Sequence, residues 1–579
     1  MAAAVKTPKE VDKCGPVVKG MAKILCERLY GPSGPSWGTL LAEIEQCATL
    51  LSDSLRKEFL DLALSRQADT FLRDPPASLC LCPGCGRDTL AKEPEPRILC
   101  CRVAVVEWSE PHRYCCRCRK AYFPQSRSLG IDHGQYSTSL LDVVCYSGAN
   151  KPSFREASLD LGKLAKLSVH EKQVERLCKR IGSERSAERD ALAEQFAAMP
   201  LTQRKDGVPA GVVPPDDKHV AVVMADAGML QLRADPDDDA AAKQATDQQE
   251  TEQPTQGPLV GTPQSPDAVV EDYDQDTPPG GRHWREDKVG LAMVMSSKVS
   301  QSDPSPEIPA TFLDAERVAK IVRGLKKSAA LQADDEQAEA AGEAEGQEEP
   351  LDKYHGPKLK KRQVVASRRS WPQFGVLLAS MAWQAGFAKA TRKAFVADGA
   401  KAIWGVCKAR FSDYVAILDF IHAMSYVYEA ARAVGTEDAP AWKLYAQWIT
   451  WTWQGRVRLV IRALCQWRKA NGKPPKGEAQ TSPRSVVLRA LGYLLNNRDK
   501  MKYAEYRRQG LPIVSSLVES MVKQVSRRVK GTEKFWGEEG AEAILQLRAD
   551  YLSDGEVMAG FWQRRQAGAT GQRFYRPRS

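Results

Sequence analysis

The sequence predicts an α/β protein with an all-helical insertion, preceded by a cysteine-knuckle module and a helix-turn-helix. Three observations carry this expectation. Lys393 to His422, KAFVADGAKAIWGVCKARFSDYVAILDFIH, reads as strand, helix, strand, a βαβ unit whose two strands each end on a carboxylate, Asp398 and Asp419. Two C-x-x-C pairs stand well upstream of it. Residues 423-510 keep helical spacing of apolar residues throughout.

At 579 residues the chain is long enough for several domains, and 43% apolar content allows sizeable cores. No run of about 18 apolar residues occurs, so no membrane span is expected. The start, MAAAVKTPKEVDK, has no apolar signal core. Fifteen cysteines are too scattered for a disulfide framework, so a reducing, cytoplasmic setting is expected. The net charge of +10 is unevenly spread: from Lys353 onward 40 basic residues face 17 acidic ones, 40 − 17 = +23. Ten of the thirteen tryptophans lie in the same part. That excess points to a polyanion partner.

Taken in order, residues 1-77 form an N-terminal helical region. Positions before about Ser36, rich in Gly, Pro and Lys, read as loosely ordered, and Thr39 to Ala68 reads as an amphipathic helix or helical hairpin. Residues 78-130 hold the knuckles Cys82-Pro-Gly-Cys85 and Cys115-Cys116-Arg117-Cys118, separated by a β-like stretch. Each knuckle places two thiolates on one metal, and four make the closed tetrahedral set of structural Zn²⁺; Cys82, Cys85, Cys115 and Cys118 are the expected ligands. Cys80 or Cys116 is an alternative, and Cys100 and Cys101 read as core. Residues 131-200 have helix-turn-helix proportions: Phe154 to Leu161, a turn, then Ser168 to Ile181 with a Ser168–Glu171 capping box. The outer face of the second helix carries Lys172, Arg176, Lys179 and Arg180. Such a helix fits a major groove, or simply links two domains.

The main domain is expected over 215-579. His219 to Arg233, HVAVVMADAGMLQLR, reads as a hairpin with Asp226 at its bend. Acidic inserts follow at 235-283 and 331-352, whose composition cannot bury a core, so disorder is expected there. The helical insertion at 423-510 mixes Trp442, Trp448, Trp451, Trp453 and Trp467 with Arg456, Arg458, Arg462, Arg468 and Lys469. It helps to separate Asp398 from Glu519 by 519 − 398 = 121 positions. Glu519 falls in the first turn of a helix that also carries Lys523, Arg527, Arg528 and Lys530. Taken singly, an Asp-Gly turn, a hairpin aspartate and an S-x-x-E capping box each have an innocent structural explanation.

In their order the signals are more specific, and the chain resembles the DDE transposases of ISKra-type bacterial insertion sequences, related to mutator-type transposases. The matching residues are Asp226 in VVMADAGML, Asp398 in VADGAKAIWG, the D-x-x-H of Asp419 and His422, and Glu519 in RRQGLPIVSSLVESMVKQVSRRVKGTEKFW. Tyr503 to Arg507 and the W-x-E-x-K of Trp284, Glu286 and Lys288 also look like that family, and the likeness runs from about Ser78 to Asp550. Ala227, Val514 and Ser516 stand where the family usually has glycine.

The resemblance implies a ribonuclease-H-like catalytic domain behind a zinc ribbon and a DNA-binding helix-turn-helix. It implies Mg²⁺-dependent cleavage at terminal inverted repeats, then strand transfer into target DNA, by at least a dimer. Asp226, Asp398 and Glu519 would hold two Mg²⁺ (Mn²⁺ in its place), an oxygen-rich set suited to phosphodiester chemistry, with Asp419 and His422 as the accessory pair. The alternatives are a nuclease of the same fold that cuts without joining, and a zinc-dependent DNA-binding protein whose catalytic domain has decayed.

Overall fold

The computed structural model describes residues 12–131, 133–233, 283–331, 356–435, 437–531 and 534–573. The expected acidic inserts lie outside the described residues, apart from positions 283 and 331 at their edges. The chain divides into two compact units, residues 1–141 with 563–579, and residues 142–562. No helix among the described residues is long and apolar enough to cross a membrane.

In the smaller unit two helices, α1 (Gly15–Tyr30) and α2 (Leu41–Arg73), precede a three-stranded antiparallel sheet of β1 (Leu90–Cys100), β2 (Val105–Cys115) and β3 (Lys120–Tyr122). Within the described part of the stretch read as loosely ordered, Gly15–Tyr30 is helical. Pro16 presets the first turn, and Gly31, at φ 79°, stops the helix in a conformation L-residues avoid. The amphipathic stretch after it is one long helix and not a hairpin. Ala68 of α2 joins Leu99, Val106, Trp108 and Ile131 in a core under the sheet. The described part of the basic tail packs down: Gly571 accepts a backbone hydrogen bond from Phe123, and Arg573 pairs with the buried Glu110 while stacking 3.5 Å over the Phe123 ring.

In the larger unit three helices come first, α3 (Thr138–Asn150), α4 (Phe154–Ala165) and α5 (Glu171–Ala198). The strands β4 (His219–Leu232) and β5 (Trp284–Ser296) follow, then α6 (Ala315–Leu331), β6 (Lys358–Ser367), α7 (Trp371–Gln384), β7 (Lys393–Ala397), α8 (Lys401–Arg410) and β8 (Val415–Leu418). The helical insertion comprises α9 (Phe420–Val434), α10 (Asp438–Trp453), α11 (Val457–Asn471), α12 (Pro483–Asn497) and a short helix Tyr503–Arg508. Then come α13 (Ser516–Val529), the two-residue β9 (Phe535–Trp536) and α14 (Glu538–Leu552).

The sheet is mixed, in the order β6-β5-β4-β7-β8, with β9 against the far end of β4. Strands β4, β7 and β8 are parallel and β5 and β6 antiparallel to their neighbours. The βαβ unit read from the sequence is present as β7-α8-β8. One face packs on α7, where Ala221, Val223, Ala225, Ala292, Phe395 and Ala397 meet Phe374, Leu377 and Leu378. Side chains alternate along a strand, so Met224, Asp226 and Val396 look to the opposite face, which α13 covers.

Two expectations are corrected. Strand β4 does not bend at Asp226-Ala227-Gly228. Its ladder with β5 runs unbroken from His219↔Ser296 to Gln231↔Trp284, so sheet pairing continues straight through these three residues. The second helix of the helix-turn-helix region does not end at Ile181. It continues as α5 to Ala198, capped at its start by the His170 side chain and not by Ser168. Gly182 lets it lie directly on α14: a Cβ there would stand 2.3 Å from the Ala543 carbonyl oxygen.

Candidate active site and cysteine centre

Strand register brings the predicted acids together. Val396 pairs with Met224 and Ala397 with Leu418, so Asp226, Asp398 and Asp419 come level across three adjacent parallel strands. Helix α13 then delivers Glu519 to the same edge. The Ser515 amide N–H donates to Asp419 Oδ1 at 2.6 Å, and the Ser515 hydroxyl donates to Glu519 Oε1 at 3.1 Å. One serine thus ties the end of β8 to the first turn of the glutamate helix.

Asp419 is fully buried and its oxygens are committed to positioning. Oδ2 caps α9 by accepting the His422 N–H at 2.7 Å, and the same oxygen lies 2.9 Å from His422 Nδ1. That imidazole reaches across to Glu519 Oε1 at 3.9 Å. The ligand atoms of Asp419, His422 and Glu519 all fall within 4.8 Å of one another.

Asp398 sits in a fixed turn. Its Oδ1 accepts the Ala400 N–H at 3.0 Å, and its carbonyl accepts the Tyr493 hydroxyl at 2.5 Å. Asp226 Oδ1 accepts the Ala227 N–H at 2.8 Å.

The electrostatics are those of crowded acids. Burial, and then the Asp398 and Glu519 charges, push Asp226 up to about 7, against the pull of its hydrogen bond from Ala227 and of His422. Burial and the Asp419 charge also raise Glu519, opposed by His422, Ser515 and Lys523. For His422 burial works downward, but the hydrogen bond and charge of Asp419, with Asp398 and Glu519 behind them, prevail and lift it to about 9. The imidazolium is therefore the local counter-charge to the carboxylates at neutral pH.

In the smaller unit the Sγ atoms of Cys82, Cys85, Cys115 and Cys118 all lie within 4.8 Å of one another, with Cys82–Cys118 at 3.9 Å and Cys85–Cys115 at 3.6 Å. Tetrahedral thiolates at Zn–S distances of about 2.3 Å stand about 3.8 Å apart, so these four can hold a zinc-like ion. The residue after each knuckle has positive φ, Gly86 at 69° and Arg119 at 53°, which turns the chain back beneath its two thiols. The Cys118 amide donates to Cys115 Sγ at 3.4 Å and, as the main cause, draws that thiol down to about 7. Cys80 and Cys116 stay outside this group.

The basic residues divide. Lys172 and Arg176 are exposed on α5, Lys179 pairs with Glu175 at 2.6 Å, and Arg180 lies 3.9 Å from Glu184. On α13, Lys523 and Arg527 are exposed, while Lys530 lies 5.2 Å from the Trp284 ring centroid. Arg528 is not available to a ligand. It is 3% exposed, donates to the Gly148 and Pro152 carbonyls, and stacks on Phe154 and Trp536. Of the insertion's tryptophans, Trp448 and Trp453 are core. Arg456, Arg458, Arg462 and Lys469 are exposed beside them.

Sequence reasoning missed three residues of the edge: Tyr493, Ser515 and Asp287. Only the last left a signal, since alternation along Trp284–Lys288 sets Asp287 on the face opposite to Glu286 and Lys288. No known family model matches the chain, and a comparison with curated proteins finds no match.

Proposed function

We propose that the chain is a DDE-type DNA transposase resembling those of ISKra-type insertion sequences, cutting at terminal inverted repeats and joining the freed 3′ ends to target DNA. One observation carries the reading: Asp226, Asp398 and Glu519, with the Asp419–His422 pair, gather at the end of parallel strands on one face of the sheet. In this reading the sheet is ribonuclease-H-like, the four-cysteine module a zinc ribbon, and α4 with α5 the helix-turn-helix. The exposed basic residues Lys172, Arg176, Lys523 and Arg527 track the DNA backbone in a dimer or larger synaptic assembly.

Carboxylate oxygens predominate among the converging groups, with the His422 imidazole beside Glu519, and the acids' mutual repulsion is what a hard divalent cation would relieve. Asp226, Asp398 and Glu519 would hold Mg²⁺ or Mn²⁺, which when bound would supply activation of the attacking hydroxyl and charge stabilisation at the leaving oxygen. His422 keeps its charge through the Asp419 contact and presents a donor to a phosphate oxygen. Asp419 and Ser515 fix the helix that carries Glu519. Tyr493 holds the turn that carries Asp398.

The test is Asp398→Asn, an isosteric change that removes one charge. The variant should bind DNA bearing inverted repeats as the parent does and lose Mg²⁺-dependent nicking by at least about 10³-fold. Undiminished nicking removes Asp398 from the chemistry, and a target-DNA assay separates joining from cutting alone.

A further inference from the structure

A further carboxylate lies on the same face, and neither the proposed chemistry nor the packing accounts for it. Asp287 on β5 is completely buried, and neither of its oxygens has a hydrogen-bond partner. It pairs with Gly228, while Asp226 pairs with Val289, so Asp287 and Asp226 share the α13 face one step apart on the ladder. Its carboxylate lies over β4. A Cβ added to Gly228 would meet its two oxygens at 3.0 and 3.2 Å, and Val522 of α13 at 3.3 Å. Val522 is one turn along from Glu519, so Asp287 sits beneath the same stretch of helix. The four neighbouring strands β5, β4, β7 and β8 then each carry one acid toward α13: Asp287, Asp226, Asp398 and Asp419.

The charges of Lys288 and Lys530 offset part of the cost of this anion, but neither donates a hydrogen bond to it, and a buried carboxylate without a donor costs several kcal/mol. Protonation removes the charge but leaves a buried O–H with no acceptor in place. A cation would satisfy both oxygens. Diagonal cross-strand neighbours stand about 7–8 Å apart, a span that two aspartates close around one ion at about 2.1 Å from each oxygen. Glycine at 228 keeps that space open. We propose that Asp287 is a further ligand of the acid edge, joining Asp226 and Glu519 around the divalent cation on the β5 side.

This rests on the edge being a cation site, and the experiment separates the two claims. Mn²⁺ binding to the zinc-replete full-length protein is followed by electron paramagnetic resonance. The parent should take up two Mn²⁺ per chain. Asp287→Asn should weaken one of them by at least 10-fold and leave the other unchanged. Gly228→Ala, which removes no acid but crowds Asp287, should weaken the same ion, while Asp398→Asn should weaken the other one. If the parent binds no Mn²⁺, the reading of the edge fails and the inference falls with it. If the parent binds two and Asp287→Asn binds both with parental affinity, only the role of Asp287 is overturned.

Discussion

The Tyr493 hydroxyl donates to the Asp398 carbonyl at 2.5 Å, and its ring occupies the space where a side chain at residue 399 would go. Gly399 has φ 107°, and a Cβ there would stand 2.8 Å from Tyr493 Cε2. Tyr493 is itself stacked on Tyr426 at 3.8 Å, so it cannot easily yield. Gly399→Ala should therefore cost about 1–3 kcal/mol, read as a lowered urea midpoint. Tyr493→Phe keeps the stack and loses the hydrogen bond. It should lower Mg²⁺-dependent nicking several-fold with unchanged DNA affinity, and equal rates would show that the hydroxyl does not hold Asp398 for chemistry.

Stability should fall as the pH rises. Asp226 and Asp287 are both pushed up to about 7, by burial first, against an ordinary 3.8. For an acid raised in the folded state, the native protein keeps a proton that the unfolded chain has already released. That contribution is complete below about pH 4 and is lost through about pH 7. Without divalent cation, Asp287→Asn should be more stable than the parent at pH 8 by roughly 2–4 kcal/mol and nearly equal to it at pH 4. Denaturant titration at both pH values reads the difference, and a variant weaker at pH 8 refutes it.

His422 adds a second loss at higher pH. Its imidazolium persists to about pH 9, held by Asp419, Asp398 and Glu519 against burial. Nicking that depends on this donor should stay level through neutral pH and decline above about 9. His422→Gln should lower the rate roughly 10–100-fold and abolish that decline. A pH profile unchanged in the variant would assign the decline to another group.

The basic residues of α13 should separate in two assays. Arg528→Ala leaves the Gly148 and Pro152 carbonyls without their donor and should cost about 2–4 kcal/mol. Lys523→Ala and Arg527→Ala should change stability by no more than about 0.5 kcal/mol, and removing each phosphate-neutralising cation should reduce the salt slope of DNA binding by about 0.9. A DNA-affinity loss confined to a well-folded Arg528→Ala would reverse this assignment.

Much of the larger unit was legible because burial leaves a mark in composition. The apolar runs at Ala394–Ala397 and Val415–Leu418, each closed by an acid, gave the parallel pair and its site edge at once. The unbroken course of β4 was not legible. Ala227-Gly228 has the chemistry of a turn, and the close approach of Asp287 and Val522 explains why glycine stands there. Arg528 misled for a related reason. Helical spacing separates a charged stripe from an apolar one, but it does not register that α3 and Phe154 close over one arginine of the stripe. The length of α5 was hidden by Gly182, a helix-weakening residue kept for close packing on α14.

The smaller unit is assembled from two segments far apart in the chain, and Arg573 answers the charge of Glu110 more than four hundred positions upstream. During synthesis the cysteine sheet precedes Arg573 by hundreds of residues, so its interior carboxylate must wait for that distant partner. Such a long loop closes late and slowly. A chain truncated before Arg573 would leave Glu110 only the Ser126 N–H to answer its charge, so the sheet that carries the four cysteines should lose stability.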